Sequence, residues 1–140
     1  MVLDEAAKDL ESAGLGTRGT DIFEAYLPER PDACLVVFDG SAAPNILGLG
    51  SSDVVVERPR VSVWAREATA ALAHAKMRPV YERWRARTES TMVKGAGGST
   101  RWISTTAVGA PFVLRRDELG PTPRVIVTCS FDVQKETSTS

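Results

Sequence analysis

"GLGTRG", Gly14 to Gly19, has the spacing G-x-G-x-x-G. That spacing cradles a dinucleotide pyrophosphate when a strand leads into the glycines and a helix leaves them. The helix end then supplies free amides and the positive end of its dipole. Asp39 stands twenty residues past Gly19 and follows the apolar run Leu35-Val36-Val37-Phe38, where a ribose-binding carboxylate would stand. The flanking sequence reverses the required order. Between Val2 and Ala13, the residues Leu3, Ala6, Ala7, Leu10 and Ala13 recur at the three- and four-residue spacing of an amphipathic helix. Asp4 and Glu5 suit its N-terminal end, and Gly14 and Gly16 suit a left-handed C-cap. After Gly19, Ile22, Glu24 and Tyr26 alternate with Phe23, Ala25 and Leu27, which predicts a strand. Pro28 and Pro31 leave no room for a crossover helix before Asp32. The three glycines are therefore expected to cap a helix and bend the chain into the first strand.

Working outward, "ACLVVFD" predicts a second strand. Residues 40–53, "GSAAPNILGLGSSD", carry Ile46, Leu47 and Leu49 without a helical or strand period and read as a long loop. Long loops tend to be functional, and apolar residues in one await a partner surface. "VVVERPRVSVWAR" resumes the strand pattern, with Pro59 as at an edge or bulge. Glu67 to Arg87 is the longest helical segment, with Ala68, Ala71, Leu72, Ala75, Val80 and Trp84 as its apolar stripe. Pro79 is expected to kink or split it. The opposite face carries Lys76, Arg78, Arg83, Arg85 and Arg87. A hairpin is expected around Gly95–Gly98. In "RVIVTCSFDVQ", Val125, Val127, Cys129, Phe131 and Val133 alternate with Ile126, Thr128, Ser130, Asp132 and Gln134, a strand with one buried face. The expected fold is α+β: an antiparallel sheet with helices packed on one face, forming one domain over residues 1–134. Residues 135–140, "KETSTS", read as a disordered C-terminal tail.

Few chemistries survive the composition. Two cysteines without CxxC or a neighbouring His make a poor metal site and read as buried thiols. His74, the only histidine, falls in an alanine-rich helical stretch beside no nucleophile. "GAGGST" lacks the Lys of a phosphate loop. "RWRAR" and Arg115-Arg116 are too few to argue for nucleic acid alone. No catalytic, cofactor or metal constellation emerges. No apolar stretch approaches bilayer length, and the acidic N-terminus lacks the basic start and apolar block of a signal peptide, so an intracellular origin is expected. The net charge of −1 hides an asymmetry: residues 1–57 hold eleven acidic and three basic side chains, net −8, and residues 58–140 hold seven acidic and fourteen basic, net +7. Either copies meet acid against base, or the two parts interleave within one fold and cancel.

The order of short motifs resembles the small minor capsid, or tail terminator, proteins of long-tailed bacteriophages. Leu15-Gly16, Gly19-Thr20-Asp21-Ile22-Phe23, Leu27-Pro28 and Pro31-Asp32 are followed by Leu35-Val36-Val37-Phe38, the loop to Asp53, and Glu57-Arg58-Pro59-Arg60-Val61-Ser62-Val63. "APFVLRRDELGPTPRVIVTCSFDV" is similar to the family's ending, except that Gly120-Pro121-Thr122-Pro123 departs from its usual turn. The likeness spans roughly residues 5–133. It implies a structural virion protein with a tail-terminator-like fold and no enzymatic activity. It implies a hexameric ring of this chain that caps the tail tube at the head–tail junction. The implied partners are the major tail tube protein and a head-completion or connector protein, with DNA only passing through the lumen and no membrane contact. A head-closure or neck protein is the alternative within that class, and a small nucleotide-binding enzyme the alternative outside it. The interface candidates are Ile46, Leu47 and Leu49 in the apolar segment, and Arg115 and Arg116 beside a predicted turn.

Overall fold

The computed structural model describes residues 2–40, 43–47, 54–93, 99–117 and 123–138. Helix α1 (Val2–Ser12) is followed by strands β1 (Ile22–Glu24), β2 (Cys34–Asp39), β3 (Ala43–Leu47), β4 (Val54–Arg58) and β5 (Arg60–Glu67). Helix α2 (Ala70–Trp84) then leads to β6 (Ala86–Val93), β7 (Ser99–Ala107), β8 (Phe112–Asp117) and β9 (Arg124–Ser138). The expected α+β class holds, with one qualification: β1 pairs parallel with β2, and the other pairings are antiparallel.

The glycines do what the helix-first reading expects. The Gly14 amide donates to the Glu11 carbonyl (3.0 Å), and the Leu15 amide reaches back to Leu10 (3.1 Å). This is a Schellman cap closed by Gly14 at φ 79°. Gly16 sits so close to Asp21 that a Cβ there would lie 2.7 Å from its Oδ1.

β9 organises the sheet. Along one edge it meets β5 and then β4 in a single register, from Glu67↔Val125 to Val54↔Ser138. Pro59 lies within this ribbon and not at an outer edge: it gives no amide, but its carbonyl accepts from the Val133 amide (2.9 Å). Along the other edge β9 meets β8 and then β7. β2 and β1 extend the sheet beyond β5, β3 extends it beyond β4, and β6 pairs with β7.

Alternation along these strands gives the sheet two distinct faces. Leu35 and Val37, Val61, Val63 and Ala65, and Val125, Val127, Cys129, Phe131 and Val133 form the main core beneath both helices. Trp84 packs edge-on against Phe131 (5.5 Å between centroids) and beside Trp102 (5.9 Å). The opposite face holds a smaller cluster of Phe23, Cys34 and Val36, lined by Leu27, Phe38 and Trp64.

Four expectations are corrected. The segment read as a loop over 40–53 contains β3, which pairs with β4 across a bulge between Ala43 and Ile46; Leu49 lies outside the described residues. The tail expected from residue 135 is strand as far as Ser138, because β4 flanks it on one side and β7 pairs with Lys135 on the other. The stripe of α2 is Ala73, Met77, Val80 and Trp84, and Ala71, Leu72 and Ala75 are exposed. The helix also runs through Pro79 unsplit. Pro79 and Ala75 both face solvent, so water can satisfy the Ala75 carbonyl that loses its partner.

Candidate assembly interface

The acidic residues of α1 bond within the chain. Glu5 is fully buried; its carboxylate accepts from Lys135 Nζ at 2.7 and 2.8 Å and from Trp102 Nε1 at 3.2 Å. Asp9 accepts a two-toothed contact from Arg83 (both 2.7 Å), Trp84 Nε1 (2.8 Å) and Arg87 (2.9 Å). Burial pushes the Asp9 carboxyl upward, but the bonds from Arg83 and Trp84 and the charges of Arg87 and Arg83 outweigh it and hold the group below its usual range. The bond from Asp9 in turn raises the Arg83 guanidinium. Thus acids from the first part of the chain meet bases from the second inside one molecule, as the interleaving reading expects. Two arginines of "RWRAR" are held this way, and Arg85 leans over the Tyr81 ring (6.0 Å).

A second pair of arginines shapes the turn between β1 and β2. Buried Arg66 donates to the carbonyls of Asp32 (2.9 Å), Pro31 (2.5 Å) and Glu29 (3.4 Å), and Arg124 donates to Glu29 (2.9 Å). Ala25, at φ 65°, ends β1. The turn then presents Tyr26, more than half exposed and edge-on to Phe23 at 5.6 Å.

The amides of the G-x-G-x-x-G segment also have internal acceptors. Thr17 donates to Asp21 Oδ1 (2.6 Å), Arg18 to Glu11 Oε2 (2.9 Å) and Gly19 to the Ile22 carbonyl (2.9 Å). Arg18 further bridges Asp4 and Glu24, each at 2.6 Å. Asp39 ends β2 opposite Val61. These residues form a closed turn.

Cys34 and Cys129 are buried free thiols on opposite faces of the sheet. Burial raises both pKa values, that of Cys129 to about 11. Its thiol donates to the Gly109 carbonyl at 3.3 Å. His74 lies exposed on α2, in a shallow groove with Ala71, Ala75, Arg78, Pro79 and Glu82. Among the described residues no three His, Cys, Asp or Glu side chains gather to hold a metal, and no helix is long and apolar enough to cross a membrane.

Exposed charged and apolar side chains stand together on β8. Arg115 and Arg116 are exposed on β8, opposite Ile126 and Val125, within a strand; residues 118–122 of the expected turn lie outside the described ones. On the same strand Phe112 is 57% exposed and Leu114 is 40% exposed. Ile46 and Leu47 pair with Val56 and Val55. The structure therefore separates the sequence-named candidates into two groups, at different ends of β9. Sequence reading missed the row of exposed apolar residues on β8, because Phe112 and Leu114 look like core in any alternation count.

No curated protein matches the chain. The family described as "Bacteriophage tail terminator protein" matches residues 9–127, well over half of the sequence. That span runs from Asp9, the acceptor of three basic and indole donors, to Val127 in the core of β9. The chain belongs to the bacteriophage tail terminator family.

Proposed function

We propose that copies of this protein close into a hexameric ring on the end of the phage tail tube and join it to the head connector. The observation that carries the reading is the family match across residues 9–127. Three features of the chain support a scaffolding role over an enzymatic one. The buried carboxylates of Glu5 and Asp9 are bound by basic and indole partners. Both thiols are buried. Phe112 and Leu114 stand exposed together on strand β8, the kind of apolar surface that subunits bury against each other. In this reading the tail tube protein binds one rim, the connector binds the other, and DNA crosses the lumen without a dedicated site.

Electron microscopy of the purified protein, with and without assembled tail tubes, tests the proposal. Rings with a central hole that seat on tube ends are the expected result. Particles that bind connector and ignore tube ends would assign the chain to the neck instead. A protein that stays monomeric and binds neither would overturn the reading.

A further inference from the structure

The two outer edges of the sheet differ in chemistry. β9 separates them, because Val125 to Thr128 pair with β5 on one side and with β8 on the other. Beyond β5 stand β2 and then β1, so β1 and β8 lie four strand spacings apart, about 19 Å, at opposite edges. Among the described residues neither has a further strand beside it.

β8 presents a knob. Phe112 is more than half exposed, Leu114 stands beside it in solvent at the bulge, and the exposed Arg115 and Arg116 follow. β1 presents a hollow. Ile22 and Phe23 floor an open depression of about 330 Å³, exposed Tyr26 walls it, and Arg18, Gly19 and Glu24 complete its lining. A cavity of roughly 150 Å³ holds a benzene ring, so an aromatic side chain fits here with room to spare. The rim is acidic: Asp21 accepts from the Thr17 amide, and Glu24 shares Arg18 with Asp4. The outer edge of β1 is closed to strand pairing at Ile22, whose amide donates to the Thr17 carbonyl and whose carbonyl accepts from the Gly19 amide. A neighbour must therefore be met there with side chains.

Register sets knob and hollow at one level. Phe23 lies beside Val36, Val36 beside Trp64, Trp64 beside Thr128, and Thr128 beside Phe112, so the two phenylalanines end one row. The next row runs from Arg115 through Ile126, Arg66 and Cys34 to the level of Asp21, the residue before Ile22. A second copy moved sideways along these rows, with no shift along the strands, brings Phe112 to the hollow and Arg115 to Asp21 together.

We propose that the β8 edge of one copy docks in the β1 hollow of the next, with Phe112 and Leu114 against Tyr26 and with Arg115 and Arg116 against Asp21 and Glu24. Like edges would not serve: β8 on β8 sets arginines against arginines, and β1 on β1 sets carboxylates against carboxylates. The contact joins unlike edges and is head-to-tail, the kind that generates a ring when the rotation closes. The proposal rests on the ring reading above and specifies which surfaces meet in it.

Cysteine trapping tests it. Tyr26→Cys and Phe112→Cys are made as separate proteins; both positions are exposed, and the native thiols, buried and raised in pKa, stay silent. Mild oxidation of an equal mixture should give a reducible covalent dimer, several-fold more than either variant gives alone. Both changes in one chain should give a ladder. Independently, Tyr26→Ala and Phe112→Ser should each weaken self-association about tenfold, as loss of an interface anchor does, with the monomer melting temperature kept. Oligomers by light scattering that form without a cross-link in the mixture, and that both of these substitutions leave unchanged, overturn the edge contact and leave the ring reading standing. Either cysteine variant cross-linking with itself as readily as with the other means that like edges meet, and also overturns the proposal. A protein that stays monomeric at every concentration, with tail tubes or without, overturns both.

Discussion

Asp9 takes Arg83, Arg87 and the Trp84 indole at once. Its pKa is lowered in the folded state. The stabilisation is therefore present above the unfolded value, near 4, and is lost as pH falls through the lower folded value. Asp9→Asn should cost about 3 kcal/mol at neutral pH, because two arginines lose their counter-charge at a largely buried site. The gap between variant and wild type should close in acid, as chemical denaturation at pH 7 and pH 3 would read out. Thr105 makes the opposite case: its hydroxyl is buried and has no hydrogen-bond partner among the described residues. Thr105→Val keeps the shape and removes the unsatisfied group, so the melting temperature should rise, by the equivalent of about 1 kcal/mol. None of this is visible in the sequence. Asp9 meets residues more than seventy positions away, and no local pattern marks the partner.

At the level of elements, legibility followed the strength of the alternation. β9 was readable as far as Gln134 because five apolar residues recur at every second position, with polar ones between them from Thr128 onward. Its last four residues were not, since Lys135, Glu136, Thr137 and Ser138 look like a tail until β4 is placed beside them. β3 was hidden by Pro44 and Asn45, poor strand formers that fall at the bulge between its paired residues Ala43 and Ile46. The stripe of α2 was misplaced because alanine is too small to mark a face, and the large Met77, Val80 and Trp84 set the true one. The cap of α1 was legible because glycine chemistry is local. The tie between α1 and β9 is open to a mutational cycle. Lys135→Met alone leaves Glu5 charged and buried, and should cost about 3–5 kcal/mol. Adding Glu5→Gln keeps an acceptor for the Trp102 indole, removes the stranded charge, and should recover most of that loss. Urea unfolding of the two single variants and the double variant measures the coupling. Additive losses would mean the pair contributes no more than its parts.

For the whole molecule, the family and the α+β class followed from the order of short motifs, while the candidate surfaces did not. Which exposed residues share a face depends on strand register, and register is fixed by pairings distant in sequence. The charge asymmetry likewise reads differently in three dimensions, since Glu5, Asp9 and Asp32 find their bases inside the same chain. Less opposite charge is left to draw copies together than the totals suggest. Arg115 and Arg116 remain exposed on β8. Reversing both to Glu should weaken self-association at low salt, with the monomer melting temperature little changed. The difference should shrink at high salt as screening shortens the reach of rim charges. Sedimentation velocity at two ionic strengths reads both effects, and equal assembly of variant and wild type throughout would exclude these arginines from the contact.

β9 follows in the chain every strand it pairs with. Until β9 emerges, β5, β4, β7 and β8 lack the neighbour they share, and Glu5 waits without Lys135. A nascent chain that stalls before residue 124 would therefore present separated hairpins and a Glu5 carboxylate without its Lys135 cation, a species that cellular proteases recognise readily. A chain cut short before β9 would therefore fail as a fold, because the order in which the strands are made leaves their shared neighbour until after the others.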